Sequence, residues 1–410
     1  MQKLFVMWCI FVQCSLGDAA WQVIGPEGAH LHSLVVSPLD ENVVYAASIS
    51  DPCIVIRSAD GCVSWESVGS FPGYVLCMTI EGSGVLYCGC FERVYKSTDA
   101  GITWTGATVD STYVNGLAVH PTMSSIIYGV GRKRLSSSEN RMMFCKSTNS
   151  GLSWTTTPAI SGNAHGFGIT VDPSAPNTIY LSGRETISGT SYPRVIKSTD
   201  GGTTWSDVSG SIPPAGNYIA IIAVHPTDSD IIYAPTRNEG IYRSTNGGGS
   251  WTRVSTFEGS MSIATTPADP SLVLVGSDAV VYKSTNSGGI WTIVDSGLRG
   301  RNNRGCAISR TNALNVYLGN NYGCFKSTNA GEDWVDANNG LYLGRITSLG
   351  VAPSSPSSIY TSFPEVGVFK SIDNGLSWDF NPTPLSCGEF CSIVVHNTDQ
   401  NTVFGFEGKG

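Results

Sequence analysis

Short apolar runs rich in β-branched and aromatic residues recur along this chain, separated by clusters of Gly, Ser, Asn and Asp. Three kinds of run repeat in a fixed order. The first leads into Pro, as at 221–226 (Ile-Ile-Ala-Val-His-Pro) and 348–353 (Ser-Leu-Gly-Val-Ala-Pro). The second is built on Tyr, as at 231–234 (Ile-Ile-Tyr-Ala) and 358–361 (Ser-Ile-Tyr-Thr). The third ends in Lys or Arg, as at 93–96 (Arg-Val-Tyr-Lys), 240–243 (Gly-Ile-Tyr-Arg) and 280–283 (Val-Val-Tyr-Lys). Runs of this length bounded by turn residues predict strands. No long helix is predicted.

A turn motif follows every third run. Ser-x-Asp/Asn-x-Gly-x-x-Trp occurs as STDAGITW (97–104), STNSGLSW (147–154), STDGGTTW (198–205), STNGGGSW (244–251), STNSGGIW (284–291), STNAGEDW (327–334) and SIDNGLSW (371–378). A degenerate copy, SADGCVSW (58–65), carries Cys62 where the others carry Gly. The Ser and Asp/Asn side chains can bond neighbouring backbone N–H groups and stabilise a tight turn. The Gly supplies a backbone conformation that other residues resist. The Trp starts the next strand and plugs the turn against the layer below. Asp60, Asp99, Asn149, Asp200, Asn246, Asn286, Asn329 and Asp373 are therefore assigned structural roles.

One repeat is thus strand A, a Pro-containing turn, strand B, a loop, strand C, the motif turn and strand D. Its tryptophans recur every 39 (Trp65 to Trp104) to 51 (Trp154 to Trp205) residues. Four antiparallel strands at such spacing are the signature of a propeller blade, which buries its faces only against neighbours. The prediction is an all-β chain, a single β-propeller of four-stranded antiparallel blades with eight or nine blades. Repeat units end near 65, 104, 154, 205, 251, 291, 334 and 378. Trp21 looks like a strand D without its turn motif. Residues 391–396 and 402–406 look like strands A and B, so 379–410 and 21–25 are expected to share an incomplete unit.

The N-terminus changes the picture. Lys3, an apolar run from Leu4 to Val12, and small residues at Ser15 and Gly17 read as a signal peptide over 1–17, with 18–410 as the propeller. Cys14 follows Phe11-Val12-Gln13, a poor match to a lipid-attachment box. No stretch is long enough to span a bilayer. The expected location is extracellular, or periplasmic in a bacterium. The net charge of −8, without a basic block, argues against a nucleic-acid partner.

Twelve cysteines include Cys9 and Cys14, leaving ten beyond the leader, an even number consistent with disulfides. If 81–84 form a hairpin loop, Ile80 faces Val85 and Cys77 faces Cys88, close enough for a bond. Cys387 and Cys391 are near in sequence and are a second candidate pair. No Cys-x-x-Cys zinc pattern occurs, His30 and His32 lack a third ligand, and no metal or cofactor is expected.

The motif at 244–251 with its upstream strands resembles the Asp-box superfamily, over nearly the whole chain. That group includes sialidases, xyloglucan-cleaving glycosidases of two seven-bladed propellers, sortilin-type receptors and photosystem II assembly factors. The resemblance implies the fold, and it implies function only weakly, because the box is a folding device. It also places the box on the face opposite the usual active site. The sialidase Arg-Ile-Pro segment is absent. The xyloglucanase Thr-Asp-Val-Gly-Gly context is replaced by 46–53 (Ala-Ala-Ser-Ile-Ser-Asp-Pro-Cys), which leaves Asp51 as a candidate in an altered setting. The cysteine-rich module that follows sortilin propellers is missing. The chloroplast factors are set aside because this chain reads as exported and rich in cysteine.

In a propeller the B–C and D–A loops converge on one rim of the central channel. Those loops are rich in arginine here, and arginine forks suit carboxylate, sulfate and phosphate groups. Arg184, Arg237, Arg304 and Arg345, with Tyr342, are candidate ligand-binding residues. Glu185, Glu239 and Asp51 are candidate catalytic carboxylates, since a glycosidase needs two. The competing reading pairs these arginines with nearby glutamates on solvated loops. The functional expectation is an exported propeller related to glycoside hydrolases that engages extracellular glycan; the alternative is a non-catalytic propeller that binds protein.

Overall fold

A computed structural model describes residues 28–29, 31–48, 53–72, 74–214, 218–338, 342–343, 348–352, 355–363, 367–373, 378–381, 391–395 and 403–407. These residues form strands, turns and bends with no helix. The first sheet is Leu31–Val36, Val44–Ser48, Cys53–Ser58 and Glu66–Phe71, each strand antiparallel to the next. The second and third share one seven-stranded sheet, because the long strand Thr105–Val119 ends one unit and begins the next. The fourth runs Asn163–Val171, Ile179–Ile187, Thr190–Ser198, Ser206–Asp207. The fifth starts at Ala223–His225, the sixth at Ser260–Thr266, the seventh at Gly305–Ile308 and the eighth at Ser348–Ala352. The hairpin Cys391–Val395 and Val403–Glu407 follows, lying against the eighth sheet.

Every described motif turn is wired alike. At Ser97 the hydroxyl donates to Asp99 Oδ1 (2.8 Å) and accepts from Gly101 N (2.8 Å), while Thr103 N donates to Asp99 Oδ1 (2.9 Å). The same bonds recur from Ser147, Ser198, Ser244, Ser284 and Ser327. In the degenerate copy Cys62 N donates to Ser58 Oγ (2.8 Å). The turn thus satisfies backbone donors that packing would otherwise leave buried without partners.

The turns also tie one sheet to the next. Lys96, Lys146 and Lys197 each donate an Nζ bond to a carbonyl of the following sheet's turn, at Ser150, Gly201 and Gly247 (3.0, 2.9 and 2.8 Å). Lys326 of the seventh sheet reaches Gly61 of the first in the same way (3.1 Å). Seven apolar clusters fill the gaps between sheets. Six lie between sheets consecutive in sequence. The remaining one joins Leu31, Leu34, Val44 and Trp65 of the first sheet to Tyr317, Cys324 and Ala337 in and beside the seventh. There the Trp65 indole donates to Ala337 O (2.7 Å), and Leu31 N donates to Asn320 O (2.9 Å).

The expected count of eight or nine blades is not confirmed by this packing, since the seventh sheet meets the first directly. The eighth sheet touches the seventh where Phe369 stacks on Tyr322. Trp21 and the leader lie outside the described residues.

The predicted Cys77–Cys88 pair is wrong. The hairpin loop is one residue longer than expected, with Glu81 N bonded to Val85 O and Ile80 opposite Leu86. Cys77 therefore faces Gly89, and Cys88 faces Met78. A one-residue slip turns a side chain to the other face. Cys77 packs towards the third sheet and Cys88 towards the first, and both thiols are free. Cys387 and the side chain of Cys391 lie outside the described residues.

Candidate functional site

The innermost strands of the first seven sheets surround a central cavity of about 640 Å³. Ser33, Met78, Gly116, Phe167, Ile221, Ser262 and Gly305 contribute one lining position each. Its polar groups are almost all donors or cations: Arg132, Arg184, Arg304, His32, His165, Asn115 and Tyr218. Among the described residues, no Asp or Glu lines it.

Two of the arginines arrive by the same construction. Gly131-Arg132 and Gly183-Arg184 lie in the later halves of the second strands of the third and fourth sheets, each beside a bulge in the innermost strand. A side chain at Gly131 would strike the Tyr113 carbonyl, and one at Gly183 the His165 carbonyl. Glycine lets the strands approach there, and the next residue turns into the channel. Arg132 lies over the Tyr113 ring (4.5 Å to the centroid), and Arg184 stands opposite His165. Arg304 immediately precedes the innermost strand of the seventh sheet.

Among the described residues, no carboxylate pairs with Arg132, Arg184 or Arg304, whereas Arg141, Arg237 and Arg299 beyond the cavity each meet one. Arg237, a predicted ligand residue, is bound to Asp278 (Nη1 to Oδ1, 3.0 Å). Glu185, a predicted catalytic residue, is held by Arg194 through Nε (2.9 Å) and Nη2 (2.8 Å). The register brings them together: Arg194 stands opposite Gly183, two positions from Glu185 on the same face of the neighbouring strand. Glu239, the other predicted catalytic glutamate, lies 3.5 Å from Arg253 Nη1. The competing reading of paired rim residues therefore describes Arg237, Glu185 and Glu239 but not Arg184 or Arg304. Asp51 and Arg345 lie outside the described residues, as does the side chain of Tyr342, whose strand pairs with Gly28–Ala29.

Arg132 and His165 were not among the site residues expected from the sequence. The signal for Arg132 was the Gly-Arg pair at one repeat position in two successive units. The His165 pKa is lowered to about 4 by burial first, then by the positive charges of Arg184 and Arg132. A neutral histidine facing two guanidinium groups marks a site held ready for negative charge.

Comparisons with known proteins agree on the architecture. The GH74 xyloglucanase from Xanthomonas campestris superposes with a TM-score of 0.65 at 14% identity, covering 90% of this chain and 70% of that one. The GH74 enzyme of Niastella koreensis gives 0.61 at 18% identity, covering 93% and 70%. These likenesses concern the fold. A xyloglucanase of Hypocrea jecorina is 31% identical over 176 residues, which make up 38% of this chain and only 19% of that relative. The family model described as photosynthesis system II assembly factor YCF48 matches residues 140–409. The expectation that set the photosystem II assembly factors aside rested on the leader and the cysteines, which the repeat match does not depend on. With the repeat, the turn and the sheets in agreement, this chain belongs to the YCF48 family of Asp-box, or BNR, propellers.

Proposed function

We propose that this is an exported binding propeller, a ring of seven blades with the eighth repeat outside it, that holds an acidic extracellular glycan at its channel mouth without cleaving it. The observation that carries this reading is the trio of Arg132, Arg184 and Arg304 around a cavity that no carboxylate lines among the described residues. Guanidinium groups not paired with a carboxylate among the described residues are preorganised for an outside carboxylate or sulfate. Hydrolysis would need two carboxyl groups across the bond. Glu185 and Glu239 do not line the cavity, and each is engaged by an arginine. The leader at 1–17 supports export. A second reading has one specific support: the family is described by an assembly factor, which favours an acidic protein segment as the ligand.

The test is a binding array of uronate, sulfated and sialylated glycans, neutral β-glucans and acidic peptides, run beside a reducing-end assay on xyloglucan. Binding to charged glycans that weakens with salt, without release of reducing ends, is expected. Turnover of xyloglucan, or retention of neutral glycans alone, would overturn the reading. Retention of acidic peptides alone would favour the second one.

A pH dependence follows. A bound anion raises the pKa of His165 from about 4. Affinity for sulfate, which stays ionised, should therefore increase as pH falls from 7 towards 4. Without ligand the sign reverses. The folded pKa lies below the ordinary 6.5, so the unfolded chain takes the proton first. Stability from this group is complete above about 6.5 and declines as pH falls to about 4. Titration calorimetry and denaturant unfolding of the wild type and His165→Gln separate the two effects. Equal pH profiles in both proteins would remove His165 from the site.

A further inference from the structure

The seam between the first and seventh sheets carries a residue exchange found at no other described seam. In the other described motif turns the fifth residue is Gly at φ between +79° and +94°, as at Gly288 and Gly248. In the first sheet it is Cys62, at φ +67°. A side-chain-bearing residue there is strained. The glycine also has a packing reason. A side chain at Gly202 would strike the Phe144 ring of the preceding sheet, three positions before that sheet's motif serine. The same position holds Val55, Val94, Val195, Ile241 and Val281 in other sheets, and Cys324 in the seventh. Cys62 thus takes the place of the turn glycine and Cys324 that of a valine, isoleucine or phenylalanine, and the two meet at this seam. Their sulfurs lie 4.0 Å apart and both residues are buried.

We propose that Cys62 and Cys324 form a disulfide that locks the ring at the seam between its first and seventh sheets. Rotation about the side-chain bonds must close the sulfurs to about 2.05 Å. The oxidant is a low-molecular-weight disulfide, acting while the seam is open. One cysteine thiolate attacks a sulfur of that reagent and releases one thiol. The second cysteine then attacks the mixed disulfide and releases the other thiol. Two protein thiols become one disulfide, the reagent gains the two electrons, and its two leaving thiolates take the two protons. The lock would hold together the cavity wall that His32 of the first sheet and Arg304 beside the seventh build across the seam.

The experiment refolds the full chain in a glutathione redox buffer and maps disulfides by mass spectrometry of a non-reducing digest. A linked pair of peptides containing Cys62 and Cys324 is expected. Adding reductant should lower the wild-type Tm by roughly 5 °C or more beyond any change in Cys62→Gly. That variant restores the glycine found in the other turns, and Cys324→Val restores a residue used at the same position elsewhere, so both should fold. Recovery of both cysteines as alkylated thiols overturns the proposal, as does an equal loss of Tm in wild type and Cys62→Gly.

Discussion

Trp251→Ala is expected to destabilise the protein by roughly 3–5 kcal/mol, the usual cost of emptying a large aromatic site. The indole is 6% exposed and donates to Val208 O of the preceding sheet (2.8 Å). It sits in the cluster of Tyr180, Val195, Ile212 and Tyr242, so its loss opens a void between two sheets. The turn that carries it is bonded independently through Ser244 and Gly248, and it cannot collapse inwards without breaking those bonds. Denaturant unfolding measures the change. Trp205→Ala should cost less, because Trp205 is only partly buried and its indole N–H has no partner. Equal midpoints for Trp251→Ala and the wild type would contradict the assigned packing role.

Arg184→Ala and Arg304→Ala should each weaken binding of an anionic ligand by roughly 10–100-fold. A hydrogen bond to a charged group contributes about 1.5–3 kcal/mol, and each 1.4 kcal/mol is tenfold. Both residues line the cavity, and in each the Nε lacks a partner. Arg237→Ala should leave affinity near the wild-type value, because Arg237 already serves Asp278 and does not line the cavity. Calorimetry with a sulfated or uronate oligosaccharide distinguishes them. If Arg237→Ala proved as damaging as Arg184→Ala, the ligand would sit out on the rim and not in the channel.

Much of the fold was legible because it is periodic. Each turn's serine, acidic or amide residue and glycine act within eight residues, so local spacing suffices to read them. The Cys77–Cys88 prediction failed because it depended on a hairpin loop length, and one extra residue reversed the face of the thiol. The site was half legible. Arginine late in the second strands was visible, but its partners were not. Glu185 is engaged by Arg194 of the neighbouring strand, two positions from the residue directly opposite it. Arg237 meets an aspartate of the next sheet, 41 residues on.

By itself, then, the sequence determined the repeating unit: strands, turns and the tryptophan that plugs each turn, all from interactions spanning a few residues. Tertiary structure alone decided where the sheets meet, which arginines converge on the cavity, and which two cysteines face one another. Cys62 and Cys324 lie 262 residues apart. Nothing in local spacing relates them, because their proximity comes from the summed rotation of seven packed sheets.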